Sequence, residues 1–291
     1  MDFYKCMPTM KYLFVGNRRF VLEEMLKANL SVVCALVIKD SYLERDVESL
    51  IIPYKIISSK EELLFHISLL DFDILISNGC PYILPVSNLN GKKYINIHPS
   101  YLPDLRGVDP TIGSILFCRN SGATCHIMNN SIDSGDIISQ VKIPISDDLD
   151  VALLYQLSFV AEKMVFNQAL LKDFEPYAVQ VDNTDLIYYT RKDKDRYIDF
   201  LENNGIIFRK IKAFNVRSQG CVFYVNNCEF LVYEASRITN SFVVEYARDF
   251  ISLQIIFVYE DAIVFKKDNE VIKFFKVIGD LTKIKSRDFL L

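Results

Sequence analysis

Hydrophobic and polar positions follow one pattern in the first part of the chain and another in the rest. In the first part, the apolar runs Lys11–Gly16, Ser31–Ile38 and Phe72–Ser77 have strand length and few polar breaks. Runs of this kind are typical of strands covered on both faces. Segments of helical spacing lie between them, at Phe20–Ala28 and Lys60–Leu70. Strands that alternate with helices predict a mostly parallel sheet.

The same pattern predicts further elements up to residue 183. Strands are expected at Ile51–Ile57, Tyr94–His98, Ala123–Met128 and Ile137–Ile143, and helices at Thr111–Cys118 and residues 148–172. In the long helix, the apolar residues Leu153, Leu157, Val160 and Met164 share one face, which we expect to be buried. Together these elements predict an α/β domain over residues 1–183.

Beyond residue 183, short alternating runs predict a second, smaller β-rich domain over residues 184–291. The candidate strands are Cys221–Val225, Glu229–Tyr233, Ser241–Glu245, Ser252–Tyr259, Ala262–Phe265 and Val271–Phe275. Asn226 and Asn227 suit a tight hairpin turn, because asparagine tolerates a positive φ. A helix is expected over Asp193–Asn204, with Tyr197 and Leu201 among the residues turned inward.

Composition and charge are those of an ordinary globular protein. Hydrophobic residues make up 51% of the chain and charged residues 24%, enough for a sizeable core. The net charge of −4 counts against a nucleic-acid binder, which usually carries a positive excess. Seven cysteines without a C-x-x-C pair favour free thiols over disulfides, and metal-ligand spacing is absent. With neither a signal-peptide pattern nor an apolar run of about 18 residues, we expect a cytoplasmic protein without membrane insertion.

The segment Tyr94–Gln140 carries the residues with the clearest chemistry. Asn96 and His98 are two positions apart on a predicted strand, so both side chains point to the same face. They lie where that strand ends, and ligands of open α/β sheets bind at this carboxyl edge. A carboxamide donates to an oxygen that gains charge, and an imidazole exchanges a proton near neutral pH. Asp133, in a second loop, is expected beside the imidazole, where it would favour the charged form and fix the tautomer.

Three linked motifs in this segment resemble the folate-dependent formyltransferases, which include glycinamide ribonucleotide, methionyl-tRNA and sugar N-formyltransferases. The motifs are Asn96–His98, the loop Pro99–Pro103 followed by Arg106-Gly107, and Asp133–Ile137. Their order, spacing and strand context match over about residues 10–170. The resemblance implies a Rossmann-like formyltransferase domain that uses N10-formyltetrahydrofolate as co-substrate. It also implies catalytic roles for Asn96, His98 and Asp133.

The resemblance further suggests binding residues for both substrates. Part of the pterin pocket is expected at Ser77, Asn78, Gly79 and Cys80, and Asp136 is another candidate for a folate contact. Candidates for the acceptor substrate are Ser100, Tyr101, Arg106, Tyr188, Tyr189 and Arg191. Simpler interpretations stay open, since Arg106 can brace its own loop and the tyrosines can pack. Two further histidines, His66 and His126, are interpreted as structural, and Cys80 lacks a basic neighbour that would make it a nucleophile.

The expected acceptor is the amine of a nucleotide-linked amino sugar. The turn Ser77–Pro85 is similar to that of sugar-nucleotide members, which act on dTDP-linked amino-dideoxyhexoses in surface glycan (O-antigen) synthesis. The second domain more loosely resembles the tails of methionyl-tRNA and sugar formyltransferases, and the resemblance favours a homodimer. Initiator methionyl-tRNA is the alternative acceptor. Two further alternatives are a non-catalytic folate- or nucleotide-binding module and a hydrolase that deformylates folate.

Overall fold

The chain divides into two compact units in the computed structural model, which describes residues 10–89, 92–181, 185–216 and 218–291. The first unit contains the described residues up to Pro110 together with Asn120–Pro144 and Gln156–Tyr189. The second contains Thr111–Arg119, Ile145–Tyr155 and Thr190–Leu291. The predicted domain boundary between residues 183 and 184 lies outside the described residues.

A seven-stranded sheet forms the centre of the first unit. Its strands are β1 (Lys11–Gly16), β2 (Ser31–Ile38), β3 (Tyr54–Ile57), β4 (Ile74–Asn78), β5 (Lys93–His98), β6 (Ser121–Ile127) and β7 (Ile137–Ile143). The spatial order is β3-β2-β1-β4-β5-β6-β7. Every pair from β3 to β5 is parallel, and only β6 and β7 are antiparallel additions. The predicted α/β fold with a mostly parallel sheet is therefore confirmed.

Helices cover both faces of this sheet. The helices described in the first 183 residues are α1 (Arg19–Lys27), α2 (Tyr42–Asp46), α3 (Lys60–Leu69), α4 (Pro110–Leu116) and α5 (Val151–Leu170). One apolar layer joins α1 and α5 to strand residues such as Phe14 and Ile97, and the other joins α3 to residues such as Leu75. Helix α3 begins where Ser59 accepts a hydrogen bond from the Glu62 N–H, which satisfies an otherwise unpaired donor of the first turn.

The buried face of α5 differs from the predicted one. Leu153, Val160 and Met164 are each close to half exposed, at 47%, 48% and 46%. The face that packs in the sheet layer consists instead of Ala161, Val165, Phe166 and Ala169. Because apolar residues occupy most of the helix circumference, their spacing alone does not identify the side that meets the sheet.

The strand order reverses between β1 and β4, next to the strand that carries the predicted catalytic residues. Gly16 pairs with Asn78, and Asn78 pairs with Ile97, so β1, β4 and β5 end at the same edge. Open α/β sheets bind ligands at such a switch point. The fold therefore places the ends of β4 and β5 where a ligand is expected.

Besides most of α4 and the start of α5, the described part of the second unit contains two small antiparallel sheets and two further helices. These elements are α6 (Asn204–Ala213), β8 (Cys221–Val225), β9 (Cys228–Val232), β10 (Glu234–Ile238), α7 (Ser241–Tyr246), β11 (Ile255–Tyr259), β12 (Ala262–Lys267) and β13 (Glu270–Phe275). Strands β8 and β9 form one hairpin, and the other sheet has the order β10-β13-β12-β11. Asn226 and Asn227 adopt φ values of 50° and 61° in the hairpin turn, as predicted. The β-rich character of this part is confirmed.

Two predicted elements of the second unit are wrong, and helix caps explain both. The predicted strand Ser241–Glu245 is helix α7, because the Asn240 side chain accepts hydrogen bonds from the N–H groups of Phe242 and Val243. The predicted helix over Asp193–Asn204 contains only a 3-10 turn at Asp193–Arg196. Helix α6 starts at Asn204 instead, where Asn203 caps it by accepting from the Ile206 N–H. Leu201, expected inside, is 92% exposed.

Loss of the Asn240 cap should loosen α7. Replacing Asn240 by Ala removes the acceptor of two backbone N–H groups, which costs about 1 kcal/mol of local helix stability. We expect roughly five-fold faster hydrogen–deuterium exchange in the first turn of α7. The Asn240→Asp variant keeps an acceptor oxygen and should exchange like the wild type. Equal exchange in all three proteins would contradict the capping role.

Candidate active site

The three predicted catalytic side chains meet at the carboxyl edge of β5. Asn96 and His98 come from that strand, and Asp133 comes from the loop between β6 and β7. Asp133 Oδ1 lies 3.3 Å from Asn96 Nδ2, and its Oδ2 lies 3.5 Å from His98 Nδ1. His98 is 5% exposed, so these contacts form in a largely dry site where electrostatic interactions are strong.

The loop of Asp133 has a backbone that few sequences permit. Asp133 adopts a φ of +49°, in the left-handed region where aspartate is one of the few tolerated residues. A Cβ on Gly135 would lie 1.7 Å from the Ile127 carbonyl oxygen, so this position requires glycine. The Gly107 N–H donates to Asp133 Oδ2 at 3.1 Å. Asp133 and Gly135 thus both suit the backbone of this loop, and Asp133 also supplies the carboxylate of the site.

The hydrogen bond of the His98 ring fixes its tautomer. His98 Nε2 lies 3.0 Å from the Leu105 carbonyl oxygen, which only accepts, so Nε2 carries the hydrogen. Nδ1 of a neutral His98 therefore presents a lone pair. It lies beside Asp133 Oδ2 at 3.5 Å, longer than an ordinary hydrogen bond. A proton that arrives at Nδ1 would create an imidazolium with an acceptor next to each nitrogen.

Burial and charge act in opposite directions on this pair. Burial lowers the pKa of His98, and this outweighs the Asp133 charge and the Leu105 carbonyl, which favour the imidazolium. The predicted effect of Asp133, which favours the charged form of the ring, is therefore present but smaller than the effect of burial. Burial alone would raise the pKa of Asp133, but the neighbouring His98 and His126 rings and the Gly107 N–H together lower it. Both pKa values are thus lowered, which favours an ionised carboxylate beside a neutral imidazole at pH 7.

His126, for which the sequence alone predicts a structural role, is a fourth member of the cluster. It lies directly opposite Asn96 in the antiparallel pairing of β5 and β6. Its Nδ1 donates to the Ile127 carbonyl at 2.9 Å, so Nε2 accepts from Asn96 Nδ2 at 3.3 Å. Nε2 also lies 3.7 Å from Asp133 Oδ1. Only the register of β6 on β5 places His126 here, and the chain alone does not reveal that register.

Residues predicted for the pterin pocket lie at the end of β4. Ser77 pairs in register with Asn96, and both Ser77 and Asn78 are buried. Gly79 adopts a φ of +75° in the following turn. Burial raises the pKa of Cys80 to about 11, so its thiol is protonated at neutral pH. Asp136 is half-buried, and its carbonyl accepts from the Ile127 N–H at 2.9 Å.

A cavity of about 550 Å³ is lined by residues at the start of β5 and in the segment that leads from His126 to the Asp133 loop. Its lining includes Lys92, Tyr94, Ile127, Met128 and Asn130. Tyr94 precedes His98 by four residues, a separation of roughly 13 Å along a strand. The volume falls within the usual range of small-molecule pockets, but none of Asn96, His98 and Asp133 lines the cavity. We therefore assign no reacting group to it.

The residues predicted for the acceptor substrate differ widely in exposure. Arg106 is 1% exposed, and its Nη1 donates to the Tyr188 hydroxyl at 2.6 Å. Ser100 is also buried, and its hydroxyl donates to the Asp104 carbonyl at 2.9 Å. Tyr188 is 58% exposed, Tyr101 is half-buried and Tyr189 is buried, while Arg191 is an exposed residue of the second unit. The contacts of Arg106 favour its loop-bracing interpretation, and the substrate contacts stay predictions.

The described residues offer neither a metal cluster nor a membrane span. Within the described ranges, no group of three or more His, Cys, Asp or Glu side chains is arranged to hold a metal ion. None of the described helices combines the length and apolar character needed to cross a membrane. The six cysteines outside the first nine residues are all free thiols.

A family model, curated relatives and solved structures resemble this chain. The formyl transferase family model matches residues 25–170. A methionyl-tRNA formyltransferase of Sulfurimonas denitrificans is 26% identical over 226 residues, 70% of this chain and 74% of that protein. One from Ehrlichia canis is 34% identical over 151 residues, 50% of this chain and 49% of that protein. An N-formyltransferase of Helicobacter canadensis, solved with folinic acid and dTDP-3-aminofucose, has a TM-score of 0.69 at 19% identity, covering 92% of this chain and 100% of that one.

Removing the charge of Asp133 should lower the pKa of His98 further. The Asp133→Asn variant abolishes the anion that favours the imidazolium, so burial then acts with less opposition. The chain has only three histidines, which makes a histidine ¹⁵N NMR titration simple to assign. The control is Asp71→Asn, whose exposed carboxylate pairs with Lys11 at the start of β1. An unchanged or raised His98 pKa in Asp133→Asn would contradict the coupling.

Proposed function

Since the formyl transferase model matches residues 25–170, about half of the chain, this protein belongs to the formyl transferase family, and we propose that it transfers a formyl group from N10-formyltetrahydrofolate to the amine of a nucleotide-linked amino sugar. Membership in this family makes the chain an enzyme. The observation that carries the proposal is the meeting of Asn96, His98 and Asp133 at the carboxyl edge of β5. Acyl transfer to an amine needs groups of this kind close to the same carbon atom.

The proposed reaction needs a base for the attacking amine. As the amine nitrogen bonds to the formyl carbon, the bond from that carbon to N10 of the folate breaks. The amine loses a proton, and N10 gains one. His98 Nδ1 has a lone pair available for this proton, and Asp133 Oδ2 at 3.5 Å stabilises the imidazolium that forms. The lowered pKa of Asp133 makes the carboxylate a weak base, which favours His98 for proton removal, although the pair titrates together.

Asn96 is the proposed donor to the formyl oxygen. Its Nδ2 group directs both hydrogens to internal acceptors, His126 Nε2 and Asp133 Oδ1, and both contacts are 3.3 Å. These are long hydrogen bonds, so exchanging one of them for a developing oxyanion is favourable. The role of Asn96 therefore includes a small reorientation during the reaction.

The folate is proposed to bind beside the turn that follows β4, next to the end of β5. Ser77 pairs with Asn96, so a ligand at this turn lies close to the catalytic carboxamide. Half-buried Tyr82 and Ile83, which is 59% exposed, give the turn apolar surface, as an aromatic ligand such as a pterin needs. Folinic acid, with which the Helicobacter canadensis protein was solved, is itself a formyl folate. No metal takes part in the proposed reaction.

The choice of an amino-sugar acceptor is supported by the Helicobacter canadensis N-formyltransferase. That protein was solved with dTDP-3-aminofucose, and the fold match covers all of it. The relatives from Sulfurimonas denitrificans and Ehrlichia canis are named methionyl-tRNA formyltransferases, so tRNA is the second candidate. A net charge of −4 disfavours tRNA, because neutralising phosphates takes many Lys and Arg side chains.

We propose a role in surface glycan synthesis. The homodimer and the cytoplasmic location stay predictions.

A panel of acceptors tests the proposal directly. Tetrahydrofolate release from N10-formyltetrahydrofolate is measured with dTDP-3-amino- and dTDP-4-amino-dideoxyhexoses, with initiator methionyl-tRNA, and without an acceptor. We expect release only with a dTDP-amino sugar, together with a formylated product. Release that depends on tRNA would move the protein to the second candidate. Release without any acceptor would identify a hydrolase, and binding of folate without release would identify a binding module.

The role of His98 is tested by replacing its ring with a smaller polar side chain that cannot act as a base. The His98→Asn variant should fold normally and lose roughly 10²-fold or more in kcat, as expected for loss of a proton-transfer group. His66→Asn on α3 is the matched control and should keep wild-type turnover. Circular dichroism checks that both variants fold. Near-normal kcat in His98→Asn would remove His98 from the mechanism.

A further inference from the structure

Gln180 bridges the two loops that supply the catalytic contacts. Its Nε2 donates to the carbonyl oxygens of Asp133 at 3.0 Å and Gly135 at 2.7 Å. Its Oε1 accepts from Arg106 Nη2 at 2.9 Å. Carbonyl oxygens only accept and a guanidinium only donates, so the amide has a single orientation that satisfies all three partners. One side chain thus holds both sides of the Asp133 turn and the Arg106 loop.

The loop on the Arg106 side contacts the catalytic groups through its backbone. Leu105 supplies the carbonyl that accepts from His98 Nε2, and Gly107 supplies the N–H that donates to Asp133 Oδ2. These two residues flank Arg106 in the chain. A displacement of the Arg106 guanidinium would therefore move the partners of both His98 and Asp133.

The Asp133 turn needs support from outside its own residues. A left-handed backbone is unfavourable at a residue other than glycine, and Asp133 adopts such a backbone. The Gln180 amide hydrogens bond the carbonyl of Asp133 and that of the residue two positions later. They hold the turn in the conformation that directs the carboxylate toward His98 and Asn96.

Gln180 is itself anchored by the sheet. Two residues before it, the carbonyl of Ala178 accepts from the Ile137 N–H at 2.8 Å, and Tyr177 N–H donates to the Ile137 carbonyl at 2.9 Å. The segment that carries Gln180 therefore pairs with the first residue of β7, an edge strand of the sheet. These backbone hydrogen bonds hold the chain against the sheet just before Gln180 and so help to set the position of its amide.

We propose that Gln180 is a positioning residue for formyl transfer, which holds the Asp133 carboxylate within reach of His98 and Asn96 through its two amide hydrogens. The inference rests on the proposed function of the same site. In this scheme Gln180 contacts neither the amine nitrogen nor the formyl carbon. It affects the reaction only through the conformation of the Asp133 turn.

Two substitutions separate positioning of Asp133 from simple bracing of Arg106. Gln180→Met has a similar length and loses all three hydrogen bonds. Gln180→Glu keeps an acceptor for Arg106 but replaces both donors by oxygens that face the carbonyls of Asp133 and Gly135. The control is Gln168→Met, an exposed position on α5. The measurements are kcat, KM for both substrates, and the His98 titration by ¹⁵N NMR.

If Gln180 positions Asp133, both variants lose roughly 10- to 100-fold in kcat, as a misplaced catalytic group does, while KM changes less than about three-fold. The His98 pKa in Gln180→Met then falls in the same direction as in Asp133→Asn, because the carboxylate moves away. Gln168→Met behaves like the wild type in every measurement.

Wild-type kcat in Gln180→Glu would overturn the proposal, since bracing of Arg106 alone would then suffice. A wild-type His98 titration in folded Gln180→Met would overturn it as well. If Gln180→Met does not fold, the kcat of Gln180→Glu alone decides whether the positioning role holds. Should the wild-type enzyme formylate no acceptor, the proposed function fails, but the NMR titration still reports whether Gln180 sets the position of Asp133.

Discussion

The ionised carboxylate of Asp133, buried beside the neutral ring of His98, is the interaction on which the rest of the site depends. A buried carboxylate is costly unless its environment supplies hydrogen-bond donors. Here the Gly107 N–H and the Asn96 amide donate to it, at 3.1 and 3.3 Å. The loop after β5, the strand itself and the loop after β6 must all be in place for these contacts to exist.

The fold brings these parts together through strand order and register. Parallel pairing ends β4 and β5 at one edge, and the antiparallel addition of β6 sets His126 opposite Asn96. The chain after α5 then returns to the first residue of β7, where Gln180 ties the Asp133 turn to the Arg106 loop. The site is therefore assembled from distant parts of the sequence, and several strand pairings of the sheet together fix its geometry.

The sequence predicted the parallel sheet, the β-rich second part and the convergence of Asn96, His98 and Asp133, because apolar periodicity and linked motifs are local signals. It did not predict His126 or Gln180 as members of the site, since their roles arise from β-strand register and from a chain segment that returns to the sheet. Elsewhere, the periodicity of apolar residues predicted wrong elements and one wrong buried face. Asn240 starts a helix in a run that alternates like a strand, and the apolar circumference of α5 concealed its buried face.

In the proposed reaction one carboxamide, one imidazole and one carboxylate act on a single formyl carbon. A crystal structure with bound 5-formyltetrahydrofolate, a stable formyl folate, tests it most directly. We expect the formyl group at the carboxyl edge of β5, with its oxygen within about 3 Å of Asn96 Nδ2 and with the contact between His98 and Asp133 preserved. A formyl group bound away from this edge, beyond hydrogen-bond reach of all three side chains, would contradict it.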